Sequence, residues 1–430
     1  MKTRATPTWW GVLTAQVLCL ALATSARAID DPEQLAEEAL RANPGLEMLR
    51  ARTSELDALA GASGTWSDPV VGIEYSNVPI DEIPSLSKHP MSALQFQAQQ
   101  TIPSWGWSRL REEVAESRTL ASEHGLAEAQ SRLRREVFGL YWKLARSRML
   151  EQVTRDHIAR TEELLEAARA RYESGVAGQH QLLRLGLLRD RLRDDLGDFT
   201  RVDRVLSAAL SRTLSRDEEG AFVTPLELEP QPVAGSVAEW LARAREERPE
   251  LKRLEEIIQT AERSAELARI DGRPDLTLWM KYRVRTVDTE LDDGTDQVTA
   301  GFSIPIPWGS AKRSRAEQAA QLQAARGGRA RLEAERDRIE SVLTAIHARW
   351  ARAFEQAVEY RERLAPAALA TLEASLSDYS VGRADFATIF DAEVALLELE
   401  RTLLGATVET HIQAAEAEAS IGAAPRGGRP

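Results

Sequence analysis

Four short stretches of the chain alternate apolar and polar residues with a period of two, which predicts strands with one greasy face. In the first, Val71, Ile73 and Tyr75 alternate with Gly72, Glu74 and Ser76. In the second, Leu94, Phe96, Ala98 and Ile102 alternate with Gln95, Gln97, Gln99 and Thr101. The third sets Leu276, Leu278, Met280, Tyr282 and Val284 against Thr277, Trp279, Lys281 and Arg283. The fourth sets Val298, Ala300, Phe302 and Ile304 against Thr299, Gly301 and Ser303. The pattern predicts strands over about 69–78, 92–103, 275–285 and 296–305, close to the length of a tilted strand that crosses a bilayer. Polar stretches, NVPIDEIPSLSKHPM at 77–91 and RTVDTELDDGTDQ at 285–297, join them as two hairpins.

After each hairpin the period changes to three or four. Leu133, Val137, Leu140 and Leu144 form one apolar run, and Ile158, Thr161, Leu165, Ala168 and Tyr172 another. In the second half the seam is Ile339, Val342, Ile346, Trp350, Ala353, Ala357, Tyr360 and Leu364. This coiled-coil-like spacing predicts long helices over 105–172 and 308–379, each about 100 Å at 1.5 Å per residue. Pro366 is expected to kink or interrupt the second. Gly125 and the Gly327-Gly328 pair are expected to mark a bend or a close approach. After turns at 173–179 and 380–384, shorter helices are expected to return over 180–214 and 385–418.

The halves match in order. ALRANPGLEMLRAR around Pro44 corresponds to RAREERPELKRLEE around Pro249, and SDPVVGIEY to RPDLTLWMKY. Pro103 and Pro305 are each followed by Trp-Gly, and Tyr172-x-x-Gly175 corresponds to Tyr379-x-x-Gly382. The chain therefore reads as a tandem duplication of one plan: helix, β-hairpin, long helix, helix. Its expected divisions are a first repeat over 29–215, a linker over 216–235 with a short strand near 222–228, a second repeat over 236–420 and a tail over 421–430. Residues 1–28 have a basic start, an apolar run and Ala26-Arg27-Ala28, the pattern of a secretory signal peptide. Cys19, the one cysteine, lies within that run and is expected to leave with it.

Lys and Arg total 55 against 67 Asp and Glu, a net charge of −12, which argues against nucleic acid as a partner. A mean hydropathy of −0.35 excludes a bundle of membrane-spanning helices. The strands themselves raise the membrane question. If their apolar faces meet lipid, no strand edge can stay open, because each unpaired backbone group costs several kcal/mol. Four strands are too few to close a barrel, since membrane barrels need about eight or more. The expectation is an oligomer whose subunits each donate two hairpins, with Val71, Ile73, Tyr75, Leu94, Phe96, Leu278, Met280, Tyr282 and Phe302 facing lipid.

With these landmarks in hand, the chain resembles the TolC family of outer-membrane efflux proteins over about 30–420. SDPVVGIEYSNVPID and KHPMSALQFQAQQTIP look like the heavy-metal branch, the CzcC- and CusC-like partners of RND pumps. The resemblance implies an α+β membrane protein of the bacterial outer membrane: a homotrimer with a 12-strand β-barrel continued by a 12-helix periplasmic α-barrel. It implies a periplasmic adaptor and an inner-membrane RND-type pump as partners, with heavy-metal cations as substrate. The turns at Tyr172, Gly175, Tyr379 and Gly382 would form the tip that meets the adaptor. Asp391 falls on one acidic position of the family's pore lock. The other is Thr388 here and the arginine position is Ala384, so Asp385, or Arg184 at the place equivalent to Asp391, stands as a substitute. Three Asp391 carboxylates around one axis would repel each other and draw cations.

Other chemistry is not expected. The six histidines are scattered with no i, i+3 or i+4 pair, and there is no P-loop, G-x-S-x-G or G-x-G-x-x-G. DTELDDGTD at 288–296 lacks the glycine and the closing glutamate of a calcium loop. The reading is of a passive channel with no cofactor, no metal and no enzymatic activity. Two other readings share the pattern: a type I secretion exit for a polypeptide, and a soluble periplasmic coiled-coil scaffold.

Overall fold

The computed structural model describes residues 29–77, 80, 92–216, 221–285 and 295–422. The expected signal peptide over 1–28, most of both hairpin loops and the tail beyond Gly422 lie outside them. Two helices, not the expected one, precede the first hairpin: α1, Pro32–Ala42, and α2, Pro44–Ser63. The second half repeats the break with α5, Val237–Glu247, and α6, Pro249–Asp271. Proline causes it both times. It disfavours helical backbone in the residue before it, and Asn43 (ψ 119°) and Arg248 (ψ 119°) are extended. Each proline then opens the next helix, where its missing N–H costs nothing. Asn43 Oδ1 accepts from the amides of Gly45 and Leu46, and Ser236 with Glu239 closes a capping box on α5.

Two long arms follow the hairpins. The first, α3, runs unbroken over Trp107–Glu173 and is followed by α4, Gln179–Thr213. The second is divided: α7, Ser310–Glu359, a π-turn over Tyr360–Leu364, and α8, Ala365–Ser380, before α9, Phe386–Ile421. Pro366 sits in the first turn of α8, and the wider π-turn before it takes up the interruption. Gly328 marks a close approach, since a Cβ there would lie 2.8 Å from Cγ1 of Ile258 on α6.

The buried seams differ in detail from the predicted ones. Leu133, Val137, Tyr141 and Leu144 are buried on α3, as are Leu343, Ile346, Trp350, Ala353 and Ala357 on α7, with Leu343 taking the place of Val342. Lower on α3 the buried positions are Thr154, His157, Thr161 and Ala168, with Ile158 only half-buried. The described part of the linker contains no strand. This part, 221–235, is extended and is strapped down by side chains donating to its carbonyls: Trp350 Nε1 to Gln231 (2.7 Å), Trp240 Nε1 to Ala234 (2.9 Å), Arg361 Nη2 to Leu228 (2.7 Å) and His411 Nε2 to Glu229 (2.8 Å). Sheet pairing is unnecessary where the helices satisfy these backbone groups. Arg361 reaches the strap from within the π-turn.

Two outcomes are expected. Leu343→Ala, in a position with no exposure, should destabilise the fold by about 2–5 kcal/mol in denaturant unfolding. Burial pushes the His411 imidazole down to about 4, so its neutral form holds the strap. A lowered folded pKa means that stability is lost as pH falls from about 6.5 towards 4. Thermal midpoints across that window should fall in the native chain and fall less in His411→Gln.

Candidate functional site

The strands are β1, Val70–Ser76, β2, Ala93–Ile102, β3, Leu276–Val284, and β4, Gln297–Ser303. They form one antiparallel sheet in the order β1-β2-β3-β4, so the two repeats join side by side through β2 and β3. β1 and β4 are shorter than expected, as befits edge strands with a ladder on one side only. Register collects the predicted apolar residues on one face. Ile73, Phe96, Tyr282 and Val298 form one cross-strand row, and Val71, Ala98, Met280 and Ala300 the next. Tyr75 and Leu94 pair in a third row, and Leu278 and Phe302 in a fourth with Gln100 beside them. No helix covers this face: Val71 is 79% exposed, Ile73 69% and Phe302 67%, while Leu94 is half-buried.

The opposite face is polar and internally bonded. Gln95 Nε2 donates to Glu74 Oε2 (3.1 Å), the Thr101 and Thr277 hydroxyls meet at 3.1 Å, and Arg283 Nη2 donates to Ser76 Oγ (3.3 Å). Trp279 lies flat over Gly301, where a Cβ would fall 2.5 Å from the ring. Trp66, Trp105 and Trp308 stand exposed where the strands meet the helices, Trp105 at 93%.

At the far end the two helical turns have the same bonding. Gly175 and Gly382 take φ of +77° and +78°, and their amides donate to the carbonyls of Tyr172 and Tyr379. The carbonyls of Arg171 and Asp378 each accept two amides from beyond the turn. Side chains then distinguish the copies. Tyr379 is buried, with Arg171 stacked 4.2 Å from its ring and donating to its carbonyl, and its hydroxyl donates to Gln181 Oε1 (3.0 Å). Tyr172 is largely exposed.

The candidate pore residues lie at the same end of the helices. Asp385 caps α9, accepting from the Thr388 amide (2.9 Å) and hydroxyl (2.7 Å). Those bonds hold its carboxyl below the usual range. Asp391 and Arg184, at equivalent positions of the two repeats, face each other at 3.9 Å, and Arg184 stacks on Phe390 (4.1 Å). Asp391 is therefore not a bare carboxylate, although it stays exposed. The histidine survey missed a buried cluster above this tip. His157 of α3 bonds Glu393 and Glu400 of α9, and Arg401 bonds Thr154 and Asp195. Short-range spacing could not find it, because His157 and its partners lie on different helices; the polar run Thr154, His157, Thr161 was the only local sign. Among the described residues, no group of three His, Cys, Asp or Glu could hold a metal ion, and no helix is long and apolar enough to cross a membrane.

Three variants test the tip. Gly175→Ala and Gly382→Ala should each cost about 1–2 kcal/mol in unfolding experiments despite open space around both, because a left-handed backbone strains any L side chain. Arg184→Ala should cost less than about 1 kcal/mol, as exposed ion pairs do.

Residues 35–184 match the family model described as outer membrane efflux protein. No curated protein sequence is significantly similar to the chain. Solved structures are similar along nearly all of it. The outer membrane protein VceC from Vibrio cholerae superposes with a TM-score of 0.72 at 19% identity, covering 91% of this chain and 96% of that one. CusC gives a TM-score of 0.70 at 15% identity, covering 92% of each chain. The CmeC outer membrane channel of Campylobacter jejuni gives 0.67 at 13% identity, covering 98% of this chain and 94% of that one. Residues 35–184 are thus similar to the outer membrane efflux proteins, and the fold as a whole is similar to that of the solved channels.

Proposed function

We propose that the chain is the outer-membrane exit duct of a tripartite efflux system. Three copies pool their sheets into one 12-strand barrel, and their helices continue it as a 12-helix periplasmic tunnel. The observation that carries this reading is the bare apolar face of a sheet whose two edge strands have no partner beyond them among the described residues. Strand direction favours closure. β1 leaves the helical end and β4 returns to it, so β4 of one copy beside β1 of the next keeps every pair antiparallel. Trp66, Trp105 and Trp308 lie where a membrane barrel carries its aromatic girdle. The polar face, with Glu74, Gln97, Lys281 and Arg283, then lines the water-filled lumen.

The duct is passive: an inner-membrane RND-type pump does the work, and a periplasmic adaptor docks at the tip formed by the Tyr172–Gly175 and Tyr379–Gly382 turns. Heavy-metal cations are the substrate class, on the resemblance of the strand segments and the likeness in fold to CusC. The Arg184–Asp391 pair narrows the tunnel at the tip.

Three outcomes follow. The protein should fractionate with the outer membrane and run as a heat-labile trimer in detergent gels; a soluble periplasmic monomer would refute the duct. Met280→Arg, on the apolar face, should weaken the trimer by about 2–4 kcal/mol, whereas Thr299→Arg on the polar face should not. Asp391→Ala should raise single-channel conductance in planar bilayers, and an unchanged value would remove that residue from the constriction.

A further inference from the structure

One ionisable cluster takes part in neither the sheet nor the turns. The His157 ring is fully buried between α3 and α9, with Nδ1 2.6 Å from Glu393 Oε1 and Nε2 3.0 Å from Glu400 Oε2. Glu393 is 1% exposed, and its second oxygen has no partner. The Thr161 hydroxyl donates to the His157 carbonyl (2.7 Å), fixing the turn of α3 that presents the ring. Two arginines adjoin the cluster in sequence, and a buried nitrogen of each, Arg160 Nη1 and Arg401 Nε, has no partner. Arg401, which follows Glu400 on α9, donates to Thr154 Oγ1 (3.1 Å) and to Asp195 Oδ2 of α4 (2.6 Å), and Arg160 lies one turn along α3. The two ring nitrogens face opposite ways, so the carboxylates do not converge on a point where a metal ion could sit.

With both carboxylates ionised, only one protonation state of the ring satisfies this geometry. Imidazolium has two N–H groups and donates to both carboxylates. A neutral ring keeps one, and its other nitrogen would present a lone pair to a carboxylate oxygen, either the enclosed Glu393 or the partly exposed Glu400. Such a contact is repulsive, and burial enlarges the cost. Separation of the helices, with entry of water, relieves it.

We propose that His157, Glu393 and Glu400 form a proton-dependent clamp that holds α3 to α9 above the helical tip, closed while the imidazole carries its proton and released when it loses it. Burial works against the charge on His157, but the bonds from Glu393 and Glu400 outweigh it and hold the group above its ordinary value. A raised folded pKa means that the stabilisation is complete below about 6.5 and is lost as pH rises through the folded value. The clamp is therefore shut in acid and loosens in alkali. α9 begins at the second turn, so its movement against α3 would act on the contact of Arg171 with Tyr379.

The test measures the distance between the helices and needs no channel activity. Spin labels at Ala167→Cys on α3 and Ala395→Cys on α9, both exposed positions, are introduced into the full chain carrying Cys19→Ser. Labelled protein is diluted with unlabelled so that only distances within one chain are read. One short distance is expected at about pH 6, with a longer one growing in towards about pH 9. His157→Gln should give the same distribution throughout the range. Glu400→Gln, which leaves the buried Glu393 contact in place, should move the transition to lower pH. A native chain with no transition, the same transition in His157→Gln, or an unmoved midpoint in Glu400→Gln would each overturn the clamp.

Discussion

A β-sheet cannot end in hydrocarbon. Every backbone N–H and C=O on an open edge would forgo its partner where water cannot replace it, at several kcal/mol per group. β1 and β4 each present such an edge, and the sheet between them keeps its apolar side uncovered. The long arms do not fold back over that side; their seams pack against one another and the strap. As proposed, a sheet that is neither capped nor closed within one chain finds its remaining partners in further copies. On the proposed reading, the oligomer is therefore a condition of folding in the membrane and not a later association of finished subunits.

The helical part is held in a different way. Its surface carries many exposed ion pairs between arginines and carboxylates, each of small value. The contacts that fix position are few and enclosed. Tryptophan and arginine donors bind the strap at the equator, Arg248 donates to the Ser420 carbonyl where the last helix ends, and Tyr379 with Arg171 locks one turn to the other. Small apolar residues such as Ala145, Ala353 and Ala357 fill the helix contacts beside the strap.

What the sequence revealed depended on range. Period-two alternation survives as register: Ile73, Phe96, Tyr282 and Val298 share one row because side-chain direction in a strand is a local property. The paired turns were legible because Gly175 and Gly382 meet a local backbone demand. The split of α1 from α2 was also written locally, in Pro44 and Pro249, but the continuity of the apolar pattern concealed it. The strap and the His157 cluster were hidden for another reason. Their meaning lies in partners far away in sequence, as when Trp350 binds Gln231 or His157 binds Glu393, and neither spacing nor composition encodes such pairs. Coiled-coil periodicity likewise located the seam and most of its members, such as Ile339, Ile346 and Trp350, but not each position: Leu343 and His157 are buried where Val342 and Ile158 are only half-buried.

The duplicated plan is no longer symmetrical where it matters. Matched places in the two halves hold Arg184 and Asp391, and these opposite charges face each other within one chain. Likewise Gly178, without a side chain, stands where Asp385 caps its helix in the other copy. At these two positions the halves are no longer interchangeable: a second copy of the first half would set arginine against arginine and leave the cap without its carboxylate.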